Sequence, residues 1–209
     1  MKLTVFTPTY NRAYILGKLY ESLCRQTAGD FEWIVVDDGS TDGTEALVRG
    51  WSSMAPFSLR YVRQANGGKH RAINRGVREA RGELFFIVDS DDYLADNAVE
   101  RVLSQYDTVR GREDFAGVCG MKVYPDGHRV GGDAQFSELE CTLLEFTVIM
   151  SVGTWPRSIV RTFSADIRFP KSPVRNSVPR RWCGIASLRS TNCGFSMSPS
   201  TSAIICPTA

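Results

Sequence analysis

Leu84-Phe85-Phe86-Ile87-Val88-Asp89-Ser90-Asp91-Asp92 is the stretch on which the reading of this chain turns, an apolar run followed at once by a cluster of carboxylates. A short run rich in aromatic and β-branched residues, bounded by polar turn formers, reads as a buried strand. Three aspartates at its carboxyl end repel one another unless a cation holds them together. Carboxylate oxygens suit a hard divalent ion such as Mg2+ or Mn2+, usually shared with a phosphate ligand. Open α/β sheets bind ligands at the carboxyl ends of their strands. Taken alone, the cluster fits equally well a metal-diphosphate site or an Asp-rich turn capping a helix at Asp96 or Asn97.

Working outward, strand and helix signals alternate through the first two-thirds of the chain. Leu3 to Phe6 reads as a strand, and Tyr14 to Gln26 has helical spacing through Ile15, Leu16, Leu19 and Leu23. Phe31 to Val36 is a second strand, ending in Asp37-Asp38-Gly39-Ser40. Thr41 or Asp42 can cap the helix that follows, with Ala46, Leu47, Val48 and Trp51. Phe57 to Val62 predicts a third strand and Lys69 to Ala80 a third helix. After the Leu84 strand come a helix through Val99, Val102 and Leu103 and a strand around Phe115 to Val118. Tyr124-Pro125-Asp126-Gly127 is a turn. This rhythm predicts an α/β fold, a mostly parallel sheet flanked by helices, over residues 1–150.

Composition narrows the field. Hydrophobic residues make up 43% of 209, ordinary for a globular protein, and a net charge of +2 offers no electrostatic case for nucleic acid. The apolar run after Lys2 ends at Phe6, too short for a signal peptide, and no stretch approaches a membrane span, so a cytoplasmic location is the expectation. Six cysteines lack the spacing of a zinc site or a disulfide framework.

Three polar clusters fall at predicted strand ends: Thr7-Pro8-Thr9-Tyr10-Asn11-Arg12, Asp37-Asp38-Gly39-Ser40 and the Asp89 group. A fourth, Asn66-Gly67-Gly68-Lys69-His70-Arg71, opens the third helix. Adjacent glycines let backbone approach a ligand, and a helix start bearing Lys and Arg favours an anion. Each has a structural reading of its own: Pro8 shaping a turn, Gly67-Gly68 a tight loop, Lys69 a solvated charge. Four coincidences on one sheet edge favour a shared ligand.

The stretches FTPTYNR, IVVDDGSTDGT, NGGKHRAINRG and FFIVDSDDYL, in this order and spacing, resemble the family-2 glycosyltransferases of the GT-A, Rossmann-like fold, over roughly residues 1–150. The resemblance implies inverting transfer of a sugar from a nucleotide diphosphate, usually UDP-linked, to an acceptor hydroxyl on a glycan or lipid-linked molecule. Surface polysaccharide synthesis is the implied setting, compatible with peripheral association at the inner face of a membrane. By position, Thr7, Pro8, Tyr10 and Arg12 would line the nucleotide pocket, and Asp38, with Asp37 beside it, would meet the base. Asp89 with Ser90 would approach the ribose. Asp91 and Asp92, completing the Asp-X-Asp pattern, would bind Mn2+ or Mg2+ and the diphosphate. Many relatives have Ala-Arg-Asn where this chain has Ala72-Ile73-Asn74, so Lys69 or Arg71 would neutralise the phosphates instead. His70 and His128 read as structural and exposed, respectively.

Such a metal stabilises the departing nucleotide diphosphate while a carboxylate takes the acceptor proton. The catalytic base has no candidate here. Glu138, Glu140 and Glu145 read as the solvated face of an amphipathic helix. A nucleotidyltransferase would share fold and metal, but Thr7 to Arg12 has no glycine for the loop expected there. A phosphoacceptor signalling domain would use Asp37-Asp38, Asp89 and Lys122, but its acidic pair follows the first strand, not the second. A nucleotide-sugar binding protein without turnover is the remaining alternative.

Beyond Met150 the character changes. Residues 151–209 are crowded with Ser, Arg, Pro, Thr and Cys, including Cys183, Cys193 and Cys206, and Asp166 is the one acidic residue. The composition suggests an irregular, basic tail. A second reading comes from the genetic code. Codons built from the third base of one codon and the first two of the next permit DMAE around residues 153–157, LVWNRIA across 181–188, YKLxFF across 191–196 and YICxYLxDG across 201–209. These strings look like the acceptor-side half of the same family, which predicts a change of reading frame near Met150 that leaves a donor-binding half without its base.

Overall fold

The computed structural model describes residues 1–110, 115–121, 124, 138–140, 159–164 and 203–207. Strands β1 (Leu3–Thr9), β2 (Phe31–Asp37), β3 (Ser58–Arg63) and β4 (Leu84–Ile87) alternate with helices α1 (Leu16–Cys24), α2 (Thr44–Ser52) and α3 (Lys69–Glu79), and α4 (Ala98–Val109) follows β4. Strands β5 (Phe115–Met121), β6 (Glu138–Glu140), β7 (Ile159–Ser164) and β8 (Ala203–Pro207) complete one sheet, ordered β3-β2-β1-β4-β7-β5-β8-β6 among the described residues. The first four strands are parallel, with Leu3 opposite Phe31 on one side and Leu84 on the other. From β4 onward β7, β5 and β8 pair antiparallel, and β6 lies parallel to β8.

Chain order reverses at β1: β2 and β3 are laid down to one side and β4 to the other. That reversal opens a crevice at the carboxyl edge, where open α/β sheets hold ligands. Strand alternation sorts the core into two layers. Leu3, Val5, Trp33, Val35, Leu84 and Phe86 face α1, α2 and α4, against Leu16, Leu19, Leu23, Val48, Val99 and Val102. Phe6, Ile34, Val36 and Phe85 face α3, against Ala72 and Ile73. Burial on both faces is why these strands read as near-continuous apolar runs. On the first face Tyr20 stacks on Trp51 with ring centroids 4.4 Å apart, and Trp33 and Phe57 pack beside them.

On the second face a glycine sets how closely the helix lies. A Cβ at Gly76 would stand 2.3 Å from the ring of Phe6, which is itself stacked on Phe85 at 4.9 Å. The bare backbone therefore lets α3 settle onto two fixed rings, and α3 carries the loop residues of the crevice at its other end.

The helices follow the predicted pattern with trimmed ends. The turn at Arg12, whose carbonyl accepts from both Ile15 N and Leu16 N at 3.1 Å, delays α1 to Leu16. Gly43 holds the cap position of α2, and Asp42 stands just before it, its Oδ1 accepting from Thr44 N at 3.0 Å and Thr44 Oγ1 at 2.5 Å. One expectation is overturned. Glu138 and Glu140 lie on β6, not on a helix; the Glu-Leu-Glu alternation suits a strand, and β8 supplies the partner. Strands β7 and β8 fall within the segment read as irregular. Lys122, the turn residues 125–127, His128, Glu145 and the stretches 153–157 and 181–196 lie outside the described residues.

Candidate active site

The crevice is a cleft of about 400 Å³ at the carboxyl edge, lined by Pro8, Thr9, Tyr10 and Arg12 after β1, Asp38 after β2, Lys69 and Ala72 on α3, and Asp89, Ser90 and Asp91 after β4. Its size is that of a small-molecule site.

The first two loops are stitched together. Asn11 adopts φ +52°, a left-handed conformation that Asn tolerates better than most residues. There its backbone N–H donates to Ser40 Oγ at 2.8 Å, and its Oδ1 accepts from Thr41 N at 2.8 Å. Ala13 N donates to Asp42 Oδ2 at 3.0 Å, closing the same seam. Partial burial pushes the Asp42 carboxyl up, but the hydrogen bonds from Thr44 and Ala13 outweigh it and hold the group below its ordinary range.

The paired aspartates after β2 have different surroundings. Asp37 is buried and turned into the fold, its Oδ1 accepting from Ser40 N at 2.7 Å and its Oδ2 from the Tyr61 hydroxyl. Burial, followed by that bond, raises the Tyr61 phenol above its usual value. Asp38 lines the cleft and reaches across to the loop before α3. Its Oδ1 accepts from Gln64 Nε2 at 2.7 Å and Gly67 N at 3.0 Å, and its Oδ2 from Gly68 N at 2.6 Å. Gly68 has φ +92°, a conformation open to glycine, and hands the chain into α3. Lys69, the first residue of that helix, spans the cleft to Asp89, with Nζ to Oδ1 at 2.6 Å.

Behind the aspartates the chain is fastened to α1 and to the turn that follows it. Leu94 N donates to Ser22 Oγ at 3.0 Å, Gln26 Nε2 to the Ala95 carbonyl at 2.7 Å, and Thr27 N to the Asp96 carbonyl at 2.8 Å. The carboxylates at the cleft are thus carried by an anchored loop.

Of the residues singled out from sequence, Pro8, Tyr10, Arg12, Asp38, Lys69, Asp89, Ser90 and Asp91 line one cleft. Thr7, Asp37, Arg71 and Asp92 are not among its lining residues. Thr7 is buried, with Oγ1 accepting from Trp33 Nε1 at 2.9 Å. Arg71 is exposed and folds over Gly67, where its Cδ is 2.5 Å from the position a Cβ would take. Asp92 is buried behind the loop, its N–H on the Asp89 carbonyl at 3.0 Å. His70 is exposed. Two lining residues were missed, Thr9 and Ala72. Thr9 is only 3% exposed, and its Oγ1 has no hydrogen-bond partner among the described residues. Strand alternation through Thr7 could have singled it out.

The chain, an open α/β sheet with Asp-rich and Gly-rich loops converging at its switch point, matches the profile of Glycosyl transferase family 2 over residues 4–131. The chain belongs to that family. It is 33% identical to an uncharacterised glycosyltransferase of Nostoc sp. across 61% of this chain and 38% of that protein. It is 30% identical to the poly(ribitol-phosphate) beta-N-acetylglucosaminyltransferase TarS of Staphylococcus aureus across 82% of this chain and 30% of TarS. The crystal structure of TarS superposes with a TM-score of 0.58 at 26% identity, covering 81% of this chain and 30% of that one. A mannosyltransferase from Pyrobaculum calidifontis, solved with GDP-Man and Mn2+, superposes with a TM-score of 0.50 at 31% identity over 55% of this chain and 34% of that one. The chain therefore spans only 30–38% of the length of these two curated relatives. Among the described residues no helix is long and apolar enough to cross a membrane.

Proposed function

We propose that the cleft binds a nucleotide diphosphate sugar, UDP-linked, together with Mn2+ or Mg2+, as the donor half of an inverting glycosyltransferase acting in surface polysaccharide synthesis. The observation that carries this reading is the convergence of Asp38, Lys69, Asp89, Ser90 and Asp91 on one cleft at the switch point of the sheet. Pro8, Thr9, Tyr10 and Arg12 form the wall for the nucleoside, with the half-exposed Tyr10 ring available to stack on a base. Lys69 is the cation placed for the phosphates.

Among the described residues no group of three His, Cys, Asp or Glu could hold a metal by itself. The cleft instead offers Asp89 and Asp91, which fits an ion held by one or two carboxylates with substrate phosphates completing its shell. Asp91 would hold it, with Asp89 shared between the ion and Lys69, and Asp92 supports the loop from behind. A bound ion supplies neutralisation of the diphosphate charge. The chain's own residues orient the donor and keep a cation, Lys69, against the leaving group. The acceptor is a hydroxyl on a glycan or lipid-linked molecule, brought to a protein that sits peripherally at the inner face of a membrane.

The test is calorimetric titration of UDP in Mn2+ and in chelator. Micromolar binding in Mn2+ that weakens at least tenfold in chelator is expected; metal-independent affinity sinks the proposal.

The residues beyond the matched part are read as a changed frame. The alignment with TarS takes in 82% of the 209 residues and so passes Met150 in the frame as given, and β7 sits beside β4. The alignment favours a change later than Met150 and speaks against DMAE around residues 153–157, while strand pairing does not locate the change, since β8 pairs in the sheet as β7 does. Reading the coding DNA should give LVWNRIA and YICxYLxDG in the shifted frame. Stop codons there would dispose of the idea, and the tail would stand as this protein's own.

A further inference from the structure

Helix α3 is charged unlike the other three described helices. Helices α1, α2 and α4 carry cations and carboxylates together, Lys18 with Glu21, Glu45 with Arg49 and Glu100 with Arg101. Mixed signs of that kind mark a helix face turned to water. Helix α3 sets Lys69, Arg71, Arg75 and Arg78 against the single carboxylate of Glu79. Lys69 turns into the cleft to Asp89, while Arg71, Arg75 and Arg78 are exposed. Glu79 is held between Arg75 Nη2 at 2.7 Å and Arg60 Nη1 at 3.7 Å. Among the described residues Arg71, Arg78 and the exposed Arg81, just past the helix end, have no carboxylate partner.

The helical turn lines these arginines up. At about 100° per residue, Arg71, Arg75 and Arg78 fall within about 60° of one another around the axis, opposite the buried Ala72, Ile73 and Gly76. They follow an outward ridge about 10 Å long. Holding them there works against the helix. Like charges at i and i+4 repel, and cations in a first turn that has no acidic residue oppose the helix dipole. An anionic partner along the ridge offsets both. The ridge is convex, the outer side of a helix laid on a sheet, so a flat surface meets all three positions at once. A flexible polymer finds no groove walls there. Among the described residues the exposed large hydrophobics are Met1, Tyr10, Tyr14, Met54 and Tyr124, none of them on α3, so the contact stops at charged groups.

We propose that the outer ridge of α3 is the face by which this protein lies on an anionic membrane surface, its arginines pairing with the phosphates of lipid headgroups. Planar guanidinium groups meet phosphate oxygens through paired hydrogen bonds. The inference rests on the reading of a peripheral enzyme and deepens it by naming the face that touches lipid. It also sets an orientation. Helix α3 starts at the cleft, and Lys69 stands only about 3 Å along the axis from Arg71. A surface under the ridge therefore passes beside the cleft, where a lipid-linked acceptor is at hand.

The experiment is co-sedimentation of the full chain with vesicles of equal parts phosphatidylglycerol and phosphatidylcholine, beside vesicles of phosphatidylcholine alone. Binding to the anionic vesicles at about 0.1 M salt, released at about 1 M, is expected, with none to the neutral ones. Arg78→Gln and Arg81→Gln should each weaken it about fivefold, and together about 25-fold. Arg78→Lys with Arg81→Lys keeps the charge and should keep the binding. The control removes two cations from the opposite side of the sheet that also lack a carboxylate partner among the described residues, Lys18→Gln with Arg101→Gln. It should cost less than about twofold, since screening hides charges that far from the lipid. Equal losses in the two Gln pairs would assign the attraction to overall charge and overturn the proposal, as would no binding to anionic vesicles. Tighter binding of soluble long-chain polyphosphate at equal phosphate, lost in the α3 pair, would assign the ridge to a polymer and overturn it too. The donor reading is judged separately: a chain that fails to bind UDP sinks that reading, while the vesicle results still decide this one.

Discussion

Arg60→Met should cost about 3–5 kcal/mol, because it strands a carboxylate in the core. Glu32 is fully buried at the amino end of β2, where its Oε1 accepts from Thr4 Oγ1 at 2.8 Å and Arg81 N at 2.7 Å. Its Oε2 is met by Arg60 Nε at 3.2 Å, and Arg60 also bonds the Glu79 carbonyl at the end of α3. Removing the guanidinium leaves a charge that neither solvent nor a second cation neutralises, and frees the helix terminus as well. A loss of that size is a large part of the roughly 5–15 kcal/mol that stabilises an ordinary domain. The check is the urea midpoint at constant slope. Adding Glu32→Gln to the same chain should recover part of the loss, since the cost lies in the uncompensated charge. A midpoint unmoved by Arg60→Met would mean that water reaches Glu32.

Asp91→Asn is expected to weaken UDP binding in Mn2+ by about 10- to 100-fold, the range seen when a metal site loses a supporting group. In chelator the sign should reverse or vanish, because one fewer negative charge faces the phosphates among Asp38, Asp89 and Asp91. Titrating both proteins under both conditions separates the two effects. Equal losses with and without metal would show that Asp91 supports the loop and does not hold an ion. The loop is anchored through Ser22 on α1 and Gln26 just beyond it, so the substitution should not move the melting temperature by more than a few degrees.

The parallel half of the sheet was legible because both of its faces are covered: Phe31 to Val36 and Leu84 to Val88 read as unbroken apolar runs, and such runs mark strands buried on both sides. The loops were legible because Asp, Gly and Lys at strand ends carry chemistry that core residues do not. Other features depended on partners far away in the chain. Nothing near Glu32 announces Arg60 or Thr4, each 28 residues distant. Asp37 and Asp38 are adjacent and alike in sequence, yet strand alternation turns one toward Tyr61 and leaves the other at the cleft. Thr9 was passed over for the residues on either side of it. Glu138-Leu139-Glu140 is too short for its period to decide between helix and strand, and pairing with β8 decides it.

The buried ion pair and the cleft occupy opposite rims of the same sheet: Glu32, Thr4 and Arg81 stand at the amino ends of the strands, Asp38 and Asp89 beyond the carboxyl ends. A seven-residue strand separates them by about 20 Å. Substitutions on one rim are therefore largely independent of the other. Ligand preference can drift, by inheritance or by design, through changes in four short loops while the part that keeps the chain folded is left alone. The exception is α3, which ends in the Arg60 cluster and begins at Lys69, a rigid rod that the two rims share.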